Sequence, residues 1–483
     1  MPHPRGLTVL FFTEMWERFS YYGMRALLML FMVGAIETGG LGMNAETGAA
    51  VYGLYTALVY LLALPGGWIA DRLIGQQRAV FIGGAVIAAG HFSMAFPLQE
   101  TFFLGLALIV IGTGLLKPNV SAIVGDLYPE GGARRDAGFS IFYMGINVGA
   151  FLGPLICGYL GQKVDWHLGF SAAGFGMVLG LVQYRLGLKH LGDAGTIKEH
   201  EPDMYARDMR TLYNSLGGLA ALAVAIYLLQ SGGLLHLSLQ GVAQATGVII
   251  VSLAIAYFAY ILLFGHLQAF EKKRVMVIFI LFVGAALFWS GFEQAGSSFN
   301  LFAERLTDLN MLGWDVPASW FQMIPALNII VLAPVFAWLW VWLAHREPSI
   351  PTKFGLGLLF LGGGFFVIAW GATYAAKSGP GVSPMWLIST YLLHTFGELC
   401  LSPVGLSSVT KLSPKRLVGQ MMGVWFMGAA LGNLIAGLLA GRFETLPLPE
   451  LFGSIMLISL TAGLLFLIFS KGIQKLIGDL KGE

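Results

Sequence analysis

Long apolar runs alternate along the chain with short polar breaks. Fourteen of these runs reach the length of about 20 residues that an α-helix needs to cross a hydrocarbon core about 30 Å thick. Apolar runs of this length are typical of membrane-spanning helices. The pattern therefore predicts an all-α membrane protein. The predicted spans lie near residues 7–36, 48–70, 78–97, 101–124, 137–161, 168–188, 211–231, 243–267, 275–299, 317–344, 353–376, 384–410, 418–441 and 451–472.

The longest polar break divides the spans into groups. It runs from His190 to Arg210 and is too short to form a soluble domain. The charged turn before 211–231 leaves open whether that segment spans the membrane, re-enters it or lies on its surface. The predicted domains are an N-terminal six-helix bundle over residues 1–190, a polar linker with an inserted helix pair over 191–273, and a C-terminal six-helix bundle over 274–483.

The Lys and Arg residues of the loops predict which side of the membrane each loop faces. Of the 28 Lys and Arg residues, three lie inside spans and 21 lie in one set of alternate loops, which includes both termini. The other set holds only Lys163, Arg305, Lys377 and Arg442. Because cytoplasmic loops carry an excess of Lys and Arg, we predict that both termini are cytoplasmic.

Composition excludes several classes of protein. The 483 residues are 57% hydrophobic and 11% charged, with a mean hydropathy of +0.74, whereas a soluble domain has about 25% charged residues. Cys157 and Cys400 lie in apolar runs, which excludes a disulfide scaffold. No basic face suited to nucleic acid and no phosphate-binding glycine loop is present. Because no metal-ligand spacing or nucleophile constellation appears either, we predict no metal, no cofactor and no enzymatic activity.

Ionisable residues inside the spans are the strongest functional signal. Each costs about 2.5–3.5 kcal/mol or more if it faces lipid, so these residues must face one another or a water-filled cavity. At about 100° per residue, one stripe of the first helix carries Glu14, Arg18, Tyr21 and Arg25. A purely structural network of ion pairs is an alternative for this stripe, but it does not explain the lone charges on three other helices. The seven ionisable residues are Glu14, Glu17, Arg18, Arg25, Lys117, Glu293 and Glu398.

The types of these charges favour a proton-coupled carrier of zwitterions. Four acids and three bases leave one negative charge when all are ionised, and one bound proton neutralises it. The membrane potential supplies about 2.3 kcal/mol per charge per 100 mV to drive such a proton inward. A short peptide has one cationic and one anionic end, so a general peptide site needs a cation and an anion across a tolerant, aromatic-lined space. Arg25 and Lys117 in one half and Glu398 in the other meet this requirement.

Several stretches resemble a known family in order along both halves. The loop from Gly67 to Arg78 resembles the loop signature of the major facilitator superfamily, whose members place two halves around a central site. Residues 14–23 read EMWERFSYYG, similar to the E-x-x-E-R-F-x-Y-Y-G motif of the proton-dependent oligopeptide transporter (POT/PTR) family of that superfamily. The remaining stretches that resemble this family are 112–119, 139–149, 288–294 and 396–405.

The resemblance implies both a fold and a function. The expected fold is the major facilitator fold with an inserted helix pair, as in bacterial members. The expected function is proton-coupled import of di- and tripeptides across the cytoplasmic (inner) membrane by alternating access. Peptides, protons and membrane lipid are then the implied partners, nucleic acid is not one, and a monomer is expected.

The same resemblance assigns roles in proton coupling. Glu14, Glu17 and Arg18 are expected to handle the proton and the gate, with Lys117 as their partner on the fourth span. Glu293 is implied to be a proton site near Arg25.

The resemblance also implies a set of peptide contacts. Arg25 would hold the carboxylate of the peptide, and Glu398 its amino group. Where the family often has Q-S-x-N-P, this chain has Gln322-Met-Ile-Pro325, so whether Asn328 replaces the family's asparagine stays open. The remaining implied contacts are Tyr22, Tyr60, Lys117, Asn147 and, as a wall of a side-chain pocket, Trp425.

Three other functions were weighed against peptide symport. Carriers of another anion such as nitrate occur among plant relatives of this fold, but the intact E-x-x-E-R set and Glu398 argue against that substrate. An enzyme in the membrane would need a nucleophile or metal constellation that the sequence lacks. A sensor built on a transporter fold is compatible with the sequence.

Overall fold

Helices form nearly the whole of the computed structural model, which describes residues 3–130, 132–197, 202–311 and 313–478. Lys198 and Lys481, which contribute to the predicted cytoplasmic charge, lie outside these residues. The α-helical segments are α1 (Arg5–Val33), α2 (Ala45–Leu61), α3 (Ala63–Ile69), α4 (Gln76–Ser93), α5 (Gln99–Asp126), α6 (Gly132–Lys163), α7 (Trp166–Gly187), α8 (Pro202–Ser231), α9 (Leu239–Phe264), α10 (Ala269–Phe292), α11 (Ser298–Leu306), α12 (Ile324–Leu343), α13 (Ile350–Ser378), α14 (Met385–Leu412), α15 (Val418–Ala440) and α16 (Leu448–Ile477).

These segments form fourteen long helical units in the described residues, because α2 continues into α3 and α10 continues into α11 through short turns. Ten of the units are long and apolar enough to cross a membrane. The other four are α1, α4, α7 and α14, of which α1 and α14 carry charged residues in the middle of their length. The charges that lower their hydropathy are the ones that sequence analysis placed at the functional site.

Beyond shifts of a few residues at the helix ends, several features differ from the predicted pattern. The predicted span 275–299 is interrupted, because α10 ends at Phe292 and a 3-10 turn covers Glu293–Gly296. The predicted span 317–344 opens with a 3-10 segment, Ala318–Met323. Helix α8 begins at Pro202, so part of the predicted polar linker is helical. A short antiparallel pair of strands, β1 (Asn310–Met311) and β2 (Trp314–Asp315), lies in a loop where no strand was predicted.

Glycines on α6 allow α1 to pack very closely against it. A Cβ atom at Gly149 would lie 2.2 Å from the carbonyl oxygen of Met15, and one at Gly153 would lie 2.4 Å from that of Phe19. Small residues at this spacing are typical of tight helix pairs in membranes. Because α1 carries the charged stripe, this close packing fixes the height and rotation of the stripe within the N-terminal bundle.

The segment after α3 contains a tight turn at a glycine. Gly75 has φ +82°, a conformation that other residues rarely adopt, and its N–H donates to the carbonyl of Ala70. In this loop, Asp71 and Arg72 have different partners among the described residues. Asp71 accepts a hydrogen bond from Gln76, and Arg72 approaches Asp208 of α8 at 3.6 Å. The inserted helix α8 is therefore attached to the N-terminal bundle.

Contacts between the two bundles concentrate at one end of the molecule. Lys163 pairs with Asp315 at 2.5 Å, and the side chain of Gln162 accepts a hydrogen bond from the backbone N–H of Ser319 at 2.8 Å. At the same end, a hydrogen bond from Arg305 lowers the pKa of Glu444, which also accepts from a backbone N–H of α2. These loops belong to the cation-poor set. The bundles are thus joined on the side that sequence analysis predicts to be extracellular.

Helices α2 and α15 make the closest backbone contact between the bundles. A Cβ atom at Gly437 of α15 would lie 2.6 Å from both the Ala49 oxygen and the Gly53 Cα of α2. These atoms are backbone and cannot rotate away. The two helices can therefore approach this closely only with glycine at position 437.

We predict that Gly437→Ala lowers the thermal stability of the protein, because overpacking of this kind costs about 1–3 kcal/mol. The measurement is thermal unfolding in detergent with a thiol-reactive dye, which reports exposure of the buried Cys157 and Cys400. Gly453→Ala is the matched control, since a Cβ atom there meets nothing within 4 Å. Equal midpoints for the two variants would contradict the predicted role of this contact.

Candidate functional site

A compact group of charges lies on α1 near the middle of the N-terminal bundle. Arg18 Nε lies 3.1 Å from Glu14 Oε1 and also contacts Glu17 Oε2. All three residues are less than 5% exposed. Glu14 Oε2 and Glu17 Oε1 have no hydrogen-bond partner among the described residues. One guanidinium therefore contacts two carboxylates. Each carboxylate keeps one oxygen that can bind a proton or accept a further hydrogen bond.

Lys117 of α5 lies in the same region without an ion pair to these carboxylates. Its ammonium nitrogen stands 4.0 Å from the centre of the Tyr60 ring of α2, a cation–π contact. It interacts electrostatically with Arg18, Glu17, Glu14 and Glu293. The resemblance implied Lys117 as the partner of the α1 glutamates. In the described residues the lysine is instead held by an aromatic ring.

Arg25 and Glu293 form a buried ion pair that joins the two bundles. Arg25 Nη2 lies 2.5 Å from Glu293 Oε2, and both residues are 5% exposed. Arg25 belongs to α1, two turns beyond Arg18. Glu293 caps the carboxyl end of α10, where the helix gives way to a 3-10 turn. The interruption of the predicted span is therefore what turns this carboxylate toward the other bundle.

Tyr52 of α2 positions Arg25, and sequence analysis missed it. Arg25 Nε donates a hydrogen bond to the Tyr52 hydroxyl at 2.6 Å. The space for this hydroxyl depends on Gly296, because a Cβ atom at that position would lie 1.9 Å from it. The signal available in the sequence was the run of tyrosines along α2, but tyrosine in a membrane helix is as often a packing residue.

Two further residues, to which sequence analysis assigned no role, connect α1 to the C-terminal bundle by hydrogen bonds. Asn300 Nδ2 donates to the carbonyl oxygen of Ala26 at 2.9 Å, and Gln322 Nε2 donates to the same oxygen at 3.3 Å. Ala26 directly follows Arg25 in the chain. These bonds lie beside the Arg25–Glu293 pair and hold the backbone that carries the arginine.

Glu398 of α14 is a lone carboxylate on the opposite side of the site. It is half-buried, and its Oε2 atom has no hydrogen-bond partner among the described residues. It interacts electrostatically with Tyr22 and Tyr143 of the N-terminal bundle. Tyr22 also lies under the Arg25 guanidinium, 5.6 Å from it. Glu398 thus faces the region that Arg25 borders, with aromatic rings between the two charges.

The other side chains that the resemblance implies as peptide contacts differ in their burial and in their partners. Asn147 is buried, and its amide donates to the Tyr143 carbonyl of its own helix at 2.9 Å. Trp425 is 8% exposed and packs against Phe354 and Gly405 inside the C-terminal bundle. Its predicted role as a wall of the side-chain pocket stays a prediction. Asn328 is half-buried, with its amide nitrogen unpartnered among the described residues.

The arrangement defines a class of protein. Two helical bundles enclose a polar centre with a cation on one wall, a carboxylate on the other, and titratable pairs beside them. Such a midplane site between two bundles is the architecture of secondary transporters. No cluster able to hold a metal ion occurs in the described residues.

Comparisons with known proteins identify the family. The family model described as "PTR2: POT family" matches residues 77–451. The chain is similar to "Peptide transporter YePEPT" of Yersinia enterocolitica subsp. palearctica, with 43% identity over 100% of this chain and 96% of that protein. It is also similar to the "Di-/tripeptide transporter" of Lactococcus lactis subsp. cremoris, with 36% identity over 99% and 97%. A crystal structure described as peptide transporter POT in complex with sulfate matches with a TM-score of 0.93 and 43% identity, over 99% of this chain and 96% of that one.

The chain therefore belongs to the POT family. The predicted family and the predicted major facilitator fold are confirmed. The chain is a multi-pass membrane protein that functions as a proton-coupled peptide transporter, as the family does, and it is not an enzyme.

We predict that Tyr52→Phe raises the KM for peptide about two- to tenfold, because the loss of one hydrogen bond typically costs about 0.5–1.5 kcal/mol. The maximal uptake rate and the thermal midpoint should change little, since the ring remains in place. Tyr374→Phe is the matched control, because that tyrosine is 55% exposed on α13. A lower midpoint with an unchanged KM would assign Tyr52 to packing alone.

Proposed function

We propose that this chain imports di- and tripeptides together with protons across the cytoplasmic membrane, with both termini in the cytoplasm. The observation that carries the proposal is the buried Arg25–Glu293 pair, which spans the two bundles beside the unpaired Glu398. This geometry offers a peptide an anion for one end and a cation for the other. The names of the relatives, a peptide transporter and a di-/tripeptide transporter, support the same substrate class.

The peptide is proposed to lie between the bundles in one orientation. Glu398 holds the amino group, because it is a half-buried carboxylate without a cationic partner among the described residues. Arg25 holds the carboxylate, since its guanidinium already binds a carboxylate in the absence of peptide. Tyr22 and Tyr60 supply aromatic walls that accept different side chains. Recognition of both termini favours di- and tripeptides over single amino acids and long chains.

The Arg25–Glu293 pair is the proposed coupling switch. Arg25 cannot fully satisfy both the Glu293 carboxylate and the carboxylate of a peptide. When Glu293 takes up a proton, it loses its charge and releases Arg25 to the peptide. Proton binding and peptide binding then strengthen each other by the same free energy, as linkage requires.

The carboxylates of the charge group on α1 are proposed to bind the proton as it crosses the protein. Glu14 and Glu17 share one arginine and each keep an unpartnered oxygen. Lys117 stands close enough to interact with both. Movement of its ammonium from the Tyr60 ring to either carboxylate would change their charge balance without a large motion of α5.

The distribution of contacts supports alternating access. The bundles are joined at the end that carries Lys163 and Asp315, whereas α5 and α6 do not pack extensively against α14 or α15 at the other end in the described residues. The site is then closed on the proposed extracellular side and accessible from the cytoplasm. A sensor on the same fold would bind peptide but would not accumulate it, so uptake distinguishes the two functions.

We predict that proteoliposomes containing the protein accumulate a labelled dipeptide above equilibrium only with an inward proton gradient. In Glu293→Gln, peptide binding should remain measurable but lose most of its pH dependence, because glutamine cannot release Arg25 on protonation. In the parent, binding should weaken as the pH rises, since ionised Glu293 competes for Arg25. Gradient-driven uptake by the variant should fall to the level seen without a gradient.

The matched control is Glu450→Gln, which removes an exposed carboxylate from the first turn of α16. It should leave both uptake and the pH profile unchanged. If binding to Glu293→Gln follows pH as in the parent, the switch lies elsewhere, and Glu14 or Glu17 becomes the next candidate. If the parent shows no stimulation by the gradient, proton symport is wrong.

We predict that acetylation of the amino group of a dipeptide weakens its competition for uptake by about 30-fold or more, because a buried charge that loses its partner costs roughly 2–5 kcal/mol. The measurement is inhibition of labelled dipeptide uptake by the free and the acetylated peptide. Glu398→Gln should remove most of the difference between the two competitors. Equal competition by both peptides in the parent would reject the proposed orientation.

A further inference from the structure

A second cavity, remote from the central site, opens at the end of the C-terminal bundle opposite the joined loops. It has a volume of about 730 Å³ and lies between the start of α10, the end of α14 and the loop that leads into α15. Four cationic side chains line it: Arg274, Lys411, Lys415 and Arg416. Phe270, Leu412 and Val418 supply apolar wall beside them. A strongly cationic cavity with an apolar side is unusual in a chain with only 11% charged residues.

The four cations differ in how firmly the protein holds them. Arg416 donates to the carbonyl oxygens of Gly265 and His266, each at 3.1 Å. Arg274 donates to the Ile477 carbonyl at 3.3 Å and stacks on Phe270. These bonds fix the two arginines as parts of the wall.

The two lysines of the cavity, by contrast, are available to a ligand. Lys411 and Lys415 are exposed, and neither has a hydrogen bond or ion pair among the described residues.

Among the described residues that line this cavity, the one carboxylate is that of Glu271, and it already has partners. Its Oε2 atom accepts from the backbone N–H of Gln268 at 2.9 Å and lies 3.6 Å from Arg416. Lys411 and Lys415 have no counter-charge among the described residues that line the cavity, because apart from the two arginines and Glu271 those residues are uncharged.

We propose that this cavity binds the phosphate headgroup of an anionic membrane lipid. The loops around it belong to the cation-rich set, which places it at the cytoplasmic leaflet under the proposed orientation. Basic cavities between helices on that side are suited to anionic headgroups, and each Lys or Arg near the surface contributes about 1 kcal/mol. Phe270 is 42% exposed and offers an apolar surface that a soluble anion does not need but an acyl chain does.

The experiment measures lipid retention by native mass spectrometry of the purified full chain. The probes are phosphatidylglycerol and, as the uncharged comparison, phosphatidylcholine. The parent should retain phosphatidylglycerol selectively. The double variant Lys411→Gln with Lys415→Gln should bind it about 30-fold more weakly, the fold-change expected from two surface cations of about 1 kcal/mol each.

The matched control removes two exposed lysines at the end of α16, Lys471→Gln with Lys475→Gln, which do not line the cavity. This control should keep the parental affinity and selectivity. An equal loss in both double variants would overturn the proposal in favour of diffuse surface charge. Equal retention of the two lipids by the parent would also overturn it. Displacement of phosphatidylglycerol by soluble glycerol phosphate at the same concentration would assign the cavity to a free phosphate instead of a lipid.

Discussion

The buried ion pair between Arg25 and Glu293 is the interaction on which the rest of the molecule depends. Two charges that are 5% exposed have lost their hydration, and removing one partner of such a pair typically costs about 3–5 kcal/mol. The surrounding structure is arranged to keep them together. The break after α10 turns the carboxylate toward α1, and Tyr52 orients the guanidinium within the space that Gly296 leaves. The same cost underlies the proposed switch, in which Arg25 leaves Glu293 only when a proton neutralises the carboxylate and another anion replaces it.

The charged groups form two sets with different demands on the protein. On α1, Glu14, Glu17 and Arg18 belong to one helix, so their relative positions do not change when the bundles move. Arg25 and Glu293 belong to different bundles, so any relative motion alters their distance. Proton affinity in the first set can therefore be set by local side chains such as Lys117, whereas in the second set it is coupled to the arrangement of the bundles. The proposed roles in proton coupling therefore differ between the two sets.

Sequence analysis predicted the helices and most of the central charges but not the details that position them. A lone charge in an apolar run is visible without a structure because the cost of exposing it to lipid is large. The hydrogen bond from Arg25 to Tyr52 and the contacts of Asn300 and Gln322 with Ala26 were not visible, because neutral polar residues in a membrane helix have many possible partners. The break at Glu293 was missed for a related reason: hydropathy continues through 275–299, and the turn is stabilised by tertiary contacts. For Trp425 the resemblance implies a wall of a side-chain pocket, and the structure adds that its indole is 8% exposed and contacts Phe354.

Prolines indicate how the ends of the bundles opposite the joined loops can move while the joined end stays in place. Pro118 directly follows Lys117 within α5, and Pro403 lies five residues after Glu398 within α14. A proline inside a helix removes one backbone hydrogen bond and provides a site for bending. In each case the functional charge lies at or before the proline, on the side of the joined loops, and the free end of the helix lies beyond it. Bending at these two positions would open or close the end of the bundles opposite the joined loops, with little change at Lys117 and Glu398. The helix ends could then move without displacing the side chains proposed to bind peptide and proton. The end of α14 also borders the cationic cavity, so a lipid bound there would contact the part of the helix beyond Pro403 and not the part that holds Glu398.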